Sequence, residues 1–365
     1  MTNSAVAAIL EQAGGRFSLQ QVELDDLRPD EVLIRNEASG VCYTDISAQA
    51  SAKMPVILGH EGVGVVEKIG TGVVGVGLGD RVVVSFGSCG CCSLCNSGKP
   101  YVCDNSVALN FNGTRLDGSH TASLKGESIS AAFFQQSSFS SHSISSERNL
   151  VKVPGQIAAS NLAPLGCGIM TGAGAVLNTF KLSPGNSFVI FGAGAVGLSA
   201  VMAAKLVNAN PIIVVDINQA RLQLAKELGA THTIDASTGE VAAKIMELCP
   251  RGADFSLETT GVEQALNDAI GVLAMEGECG MVTVPNYGEK FDFTPFPVFV
   301  RAGKLRGIFF GSSVPRLFIP KLIDFHQRGL FPYDRLIKTY PFADINRAFD
   351  DVKNGLTIKP VLEMK

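Results

Sequence analysis

Up to about residue 168 the chain alternates apolar and polar positions in short runs. Glu31-Val-Leu-Ile-Arg35, Gly62-Val-Gly-Val-Val-Glu67 and Asp80-Arg-Val-Val-Val84 are examples, set apart by turn signals such as Leu78-Gly79-Asp80. A period of two with frequent turns predicts a β-rich domain of short strands. From about Cys167 the pattern changes. Phe188–Phe191, Ile212–Val215, Thr231–Ile234, Phe255–Glu258 and Met281–Val284 read as strands, with helical stretches such as Gln219–Leu228 between them. Strand–helix alternation means βαβ units and a parallel sheet, so the fold class is α/β. From about Phe309, helices over Phe318–Gln327 and Ala343–Asn354 lead to a strand at Lys359–Glu363. This tail is expected to return to the first domain, giving domains of 1–168 with 309–365 and of 169–308.

Length and charge agree with that division. At 365 residues, two cores are the natural expectation. The net charge of -4, with no Lys/Arg run, speaks against a nucleic-acid partner. The N-terminus lacks the basic start and long apolar core of a signal peptide. The uncharged stretch Phe188–Ala204 is too short to span a bilayer and is broken by Gly192, Gly194 and Gly197. A soluble, cytoplasmic protein without a membrane partner is expected.

Gly192-Ala193-Gly194-Ala195-Val196-Gly197 is a GxGxxG motif that follows an apolar strand and opens a helix. The next strand ends in Asp216, nineteen residues past the last glycine. That context makes the motif a dinucleotide site rather than a glycine-rich turn. Gly192 permits the turn, Gly194 lets backbone approach a pyrophosphate, and Gly197 lets helix and strand pack closely. The helix N-terminus, at Ala195 and Val196, offers free N–H groups to the phosphates. Asp216 should accept from the ribose hydroxyls and disfavour a 2′-phosphate, so NAD is preferred. Arg221, one turn further on, could partly accept such a phosphate.

Five of the nine cysteines fall between Cys89 and Cys103. In a long chain with no export signal, clustered cysteines bind metal more often than they form disulfides. Cys89, Cys92, Cys95 and Cys103 are spaced three, three and eight apart, the pattern of a closed Cys₄ zinc site with no open position. Such a site is structural. Cys91 breaks the rhythm and is left out. Cys42 in Gly40-Val-Cys-Tyr-Thr-Asp45, His60 in Gly59-His-Glu-Gly62 and Cys167 in Pro164-Leu-Gly-Cys-Gly-Ile-Met-Thr171 are individually weak signals.

Their order is not weak. Cys-x-x-Asp, Gly-His-Glu, the four-cysteine lobe, Gly-Cys-Gly, GxGxxG and the acidic residue follow one another as in the zinc-containing medium-chain alcohol dehydrogenases, which the chain resembles over nearly its whole length. Leu165–Gly174 and Phe134-Gln-Gln-Ser-Ser-Phe139 are most similar to the aryl-alcohol (benzyl alcohol) and geraniol dehydrogenases of that family. The resemblance implies a GroES-like β-rich catalytic domain with a zinc lobe at about 88–104, and a Rossmann NAD-binding domain. It implies two zinc ions per chain, the catalytic one on Cys42, His60 and Cys167 with an open fourth position, and hydride transfer between NAD and an alcohol/aldehyde pair. Thr44 would take the alcohol's proton, Asp45 would orient His60, and Glu61 would tune the metal. Thr171 would meet the nicotinamide, and Lys359 would lie near the pyrophosphate.

Two positions depart from the family pattern. Tyr43 stands where many relatives have a basic residue that meets the pyrophosphate. Ser47 stands where many have the histidine that ends a proton relay, and serine cannot act as that base. The pocket is expected between the domains, with Phe86, Phe133 and Phe134 as wall candidates or plain core. A primary alcohol, aromatic or allylic, follows from the resemblance alone. The alternatives are a polyol dehydrogenase of the same superfamily and a non-enzymatic zinc-binding relative; both catalytic and structural cysteine sets are complete, which disfavours each. Relatives pair through the edges of their nucleotide-binding sheets, and Val282–Val300 matches that region, so a homodimer or homotetramer is expected.

Overall fold

The computed structural model describes residues 4–283 and 290–364. Ten strands come first: β1 (Ser4–Leu10), β2 (Ser18–Leu24), β3 (Glu31–Gly40), β4 (Val56–Ile57), β5 (Glu61–Ile69), β6 (Arg81–Val84), β7 (Ala122–Leu124), β8 (Glu127–Ile129), β9 (His142–Ser146) and β10 (Leu150–Lys152). Then follow β11 (Phe188–Phe191), β12 (Ile212–Asp216), β13 (His232–Asp235), β14 (Ala253–Glu258), β15 (Leu273–Met281) and β16 (Lys304–Gly307). The tail adds β17 (Ile337–Pro341) and β18 (Lys359–Glu363).

The chain divides into two compact units. One comprises Met1–Cys167, Val314–Ile323 and Tyr333–Lys365, the other Gly168–Ser313 and Asp324–Pro332. The first is built on two sheets, ordered β4-β1-β2-β7-β8 and β10-β6-β5-β3-β18-β17, with β9 also paired to β3. Val32 and Ile34 of β3, Val66 of β5 and Val82 and Val84 of β6 pack with Leu150 of β10 into one buried cluster. β-branched residues suit such a face because their stiff side chains fill a pleated surface. β18 lies antiparallel to β3, with Val361 opposite Gly40, so the tail delivers Lys359 beside the C-terminal end of β3.

The second unit is a six-stranded parallel sheet, ordered β13-β12-β11-β14-β15-β16. β11 and β12 are buried almost throughout and read as continuous apolar runs, as parallel strands between covering layers do. Strand order reverses between β11 and β14, so the switch-point crevice lies at the ends marked by Phe191 and Glu258.

Three expectations from sequence need correction. The strand expected at Met281–Val284 is β15, which runs Leu273–Met281 and is disguised by its Glu-Gly-Glu centre and a register slip against β14; Val284 lies outside the described residues. The tail does not return as one piece. Phe310–Ser312 bonds to the second unit through Asn178 and Thr179, and Asp324–Pro332 also belongs there. The helix expected at Phe318 begins at Pro315, whose missing N–H costs nothing in a first turn. No single helix among the described residues is long and apolar enough to cross a membrane.

Candidate active site and metal centres

Cys42 caps the Tyr43–Ser51 helix directly after β3. Asp45, in the helix's first turn, is fully buried and collects three donors. Oδ2 accepts from Cys42 N at 2.9 Å, and Oδ1 from Gly59 N at 3.1 Å and pairs with His60 Nδ1 at 2.9 Å. One carboxylate thus ties the first cysteine's backbone to the histidine's ring. With Nδ1 so engaged, His60 Nε2 is buried and makes no hydrogen bond among the described residues. Cys167 follows a tight turn, Ala163–Gly166, that is itself buried. Donor atoms of Cys42, His60, Glu61 and Cys167 all lie within 4.8 Å of one another.

Two glycines make room for this cluster. A Cβ on Gly40 would stand 2.0 Å from Glu61 Oε2. Gly59 has φ +92°, and a Cβ there would meet Phe139 N at 2.5 Å. Neither position admits a side chain.

The electrostatics suit a cation. A hydrogen bond from the Cys167 thiol holds the Cys42 sulfur well below the usual thiol range, and the same shared proton raises Cys167. Burial by itself would depress His60, but the Asp45 carboxylate outweighs it and lifts the imidazole to about 10. Burial raises the Glu61 carboxyl, opposed by the Lys359 ammonium. Lys359 Nζ reaches Glu61 at 2.9 and 3.0 Å and Val41 O at 3.2 Å, wholly enclosed. The residue expected beside a pyrophosphate is therefore committed to Glu61. Thr44 Oγ1 lies 3.8 Å from Cys42 Sγ, and Ser47 follows one turn later on the same helix face. Tyr43 is exposed.

Residues 132–139 wrap this centre. Phe134, Gln135 and Ser137 all have left-handed backbone, with φ +52°, +54° and +46°. Such non-glycine conformers cost on the order of 1 kcal/mol or more each. Hydrogen bonds compensate: Ser137 Oγ accepts from Phe133 N and donates to Ile57 O, and Gln136 Nε2 donates to His60 O while Oε1 accepts from Gly62 N. Phe134 stacks on the His60 ring, centroids 4.3 Å apart. Phe86, Phe133 and Phe134 are all buried.

In the four-cysteine lobe, the donor sulfurs of Cys89, Cys92, Cys95 and Cys103 also lie within 4.8 Å of one another, while Cys91 is exposed. Backbone N–H groups turn inward: Cys92 N donates to Cys89 Sγ, Cys95 N to Cys92 Sγ and Cys89 N to Cys103 Sγ. Although burial opposes it, the N–H groups of Cys91 and Cys92 bring the Cys89 thiol down to about 5.

At the switch point Gly192 has φ +99° and faces Thr259 at 2.4 Å from its notional Cβ; Gly197 would strike Gly192 O at 1.9 Å. Gly194 is different. It caps the Ala195–Leu206 helix, and a Cβ there would meet nothing within 4 Å. The protein leaves that space open beside the half-buried first helical turn of Ala195 and Val196. Asp216, at the end of β12, accepts from Ala193 N at 2.6 Å and from Asn218 N at 2.8 Å, which ties it to the glycine turn. Arg221 sits in the first turn of the Gln219–Leu228 helix, capped by Asn218. Thr171 is buried in the Gly168–Gly174 helix.

Family comparison agrees with this geometry. Residues 28–155 match the alcohol dehydrogenase GroES-like domain, and residues 195–328 match the zinc-binding dehydrogenase domain. The geraniol dehydrogenase of Castellaniella defragrans is 42% identical over 98% of this chain and 97% of its own. The chain belongs to the zinc-containing medium-chain alcohol dehydrogenase family. Among solved structures of that family, an alcohol dehydrogenase zinc-binding domain protein from Burkholderia ambifaria superposes with a TM-score of 0.96 at 43% identity, covering both chains fully. The benzyl alcohol dehydrogenase of Acinetobacter calcoaceticus gives 0.95 at 40% identity, covering 99% of each.

The family works with zinc and NAD, and the donors here fit both. His60 Nε2, buried and without a hydrogen bond among the described residues, beside two cysteines makes a metal-ligand set, and the side-chain-free Gly194, with open space about it, lets backbone approach a dinucleotide. Gln136 escaped the sequence reading. It lies within the Phe134–Phe139 segment that carries the resemblance, but nothing in the four polar residues between those phenylalanines marks Gln136 as the one that holds the histidine.

Proposed function

We propose that this alcohol dehydrogenase oxidises primary aromatic or allylic alcohols to aldehydes with NAD as hydride acceptor, releasing one proton per turnover. The observation that carries the reading is the convergence of Cys42, His60 and Cys167 donors around one point, with Asp45 fixing the histidine. The substrate class rests on the geraniol and benzyl alcohol dehydrogenases named above.

Cys42, His60 and Cys167 would hold the catalytic zinc, and Cys89, Cys92, Cys95 and Cys103 the structural one. A zinc ion with one open position acts as a Lewis acid that lowers the pKa of an alcohol. The rest falls to the chain. Asp45 keeps the Nδ1 proton on His60 and so presents Nε2 as ligand. Thr44 Oγ1 receives the hydroxyl proton, and Ser47, one turn away, passes it on towards water. Lys359 neutralises Glu61, so the centre is not burdened with a second bare carboxylate. Gly192, Gly194 and Gly197 shape the pyrophosphate seat, with Asp216 favouring NAD.

The test is NADH formation across benzyl, cinnamyl and geranyl alcohols, ethanol and sorbitol, with NAD and NADP compared and zinc counted. Activity confined to the aromatic and allylic alcohols with NAD, at two zinc ions per chain, is the expected result. Preference for sorbitol, or one zinc or none, overturns it. We also propose a homodimer paired at β16, whose four residues are all exposed and whose outer edge has no partner among the described residues.

A further inference from the structure

Among the described residues the His60 ring makes one hydrogen bond, to Asp45. A single contact fixes the tautomer and the position of one ring atom. It leaves the ring free to tilt about that contact. A metal needs the Nε2 lone pair, which lies in the ring plane, so the tilt decides where the ligand points. Two phenylalanine rings also contact the imidazole. The Phe134 ring stacks on the imidazole face at 4.3 Å and 26°, and the Phe133 ring stands edge-on at 5.7 Å and 81°.

The backbone is bent to put Phe134 there. Its φ of +52° is one of three left-handed non-glycine values within four residues. The same segment grips the main chain around the histidine: Ser138 N donates to Gly59 O at 2.9 Å and Phe139 N to Leu58 O at 3.0 Å. Gln136 bonds both His60 O and Gly62 N. A strained segment held by this many bonds to one neighbour is organised around that neighbour.

We infer that the Ala132–Phe139 segment sets the plane of the His60 imidazole through Phe134, making Phe134 a positioning residue for the reactive metal. This rests on the reading of Cys42, His60 and Cys167 as ligands. Its consequence is retention: a ring free to tilt releases metal faster. Outer partners of a metal-bound histidine typically change affinity ten- to a hundred-fold.

The experiment challenges purified holoenzyme with a chromophoric zinc chelator. The release phase of the four-cysteine site is identified by its loss in Cys103→Ser. Phe134→Leu removes the ring, and Phe134→Met does so with an unbranched chain that fills the same space. Phe134→Tyr restores the ring. In the Leu and Met variants the other phase should quicken by roughly ten- to a hundred-fold, and the ligand-field bands of the cobalt-substituted enzyme should shift. The Tyr variant should match the parent in both. Parent-like release and parent-like cobalt bands in whichever ring-less variant folds, with only the KM for alcohol altered, overturn the inference and make Phe134 a pocket wall alone. A parent that shows the four-cysteine phase and no other defeats the ligand reading itself.

Discussion

Asp45 shows how one side chain can unite residues far apart in sequence. It caps its own helix at Cys42 and reaches Gly59 and His60 across the sheet. The Cys-x-x-Asp spacing was legible because both residues lie in one helical turn. Ser47 sits one turn on, where a relay would leave the site. A serine there has no pKa near neutrality, whereas a histidine titrates near about 6.5. Ser47→His should therefore alter the pH profile of kcat/KM for alcohol oxidation; an identical profile counts against a relay through this helix face. Glu258 offers a second test. It is buried at the end of β14, with Oε1 accepting from Thr260 and Gly261 and Oε2 making no hydrogen bond among the described residues. Burial raises its carboxyl above the usual range. The folded state then keeps a proton that the unfolded chain sheds near about 4.3, so stability falls as pH climbs from there through the folded value. Glu258→Gln keeps the accepting oxygen and removes the titration. Its Tm relative to the parent should rise as pH climbs above the unfolded carboxyl value of about 4.3. A constant difference would mean the carboxyl ionises normally.

At the scale of elements, the glycine turn divides its labour. Gly197 is needed for packing, since a methyl there would sit 1.9 Å from Gly192 O. Gly194, with φ -82° and nothing within 4 Å, is needed only by what binds. Gly197→Ala should cost about 1–3 kcal/mol of stability by overpacking and weaken NADH binding too. Gly194→Ala should leave Tm unchanged or slightly raised while NADH binding, followed by fluorescence, drops at least tenfold. Equal loss of stability in both would refute the division. Sequence exposed this element because strand, turn, helix and Asp216 lie close together in the chain. It hid β15, where Glu276 with φ +59° and the slipped register against β14 break the alternation. It hid Gln136 as well, since that residue acts on His60 from 76 residues away and no local period encodes the contact. Cys167 carried no ligand signal of its own; only family order joined it to Cys42.

For the whole molecule, the open question is the exposed flank of the parallel sheet. β16 ends that sheet, and open edges invite pairing. Phe299, in the short helix just before β16, is 83% exposed; Phe296 in the same helix is 66% exposed, and Met275 in β15 69%. Large apolar side chains gathered at one edge mark an interaction site rather than ordinary surface. Antiparallel pairing of β16 with its copy would satisfy the free N–H and C=O groups of both, and the phenylalanines would flank the join. A two-fold axis through β16 would make each copy's patch its own complement, as closed dimers require. Part of the Val282–Val300 stretch, residues 284–289, lies outside the described residues. Replacing both Phe296 and Phe299 by aspartate places like charges on either side of the axis. Sedimentation velocity should then report half the parent's mass, with the far-UV spectrum unchanged. A variant that keeps the parent's mass would remove β16 as the interface and leave its exposed phenylalanines to another partner.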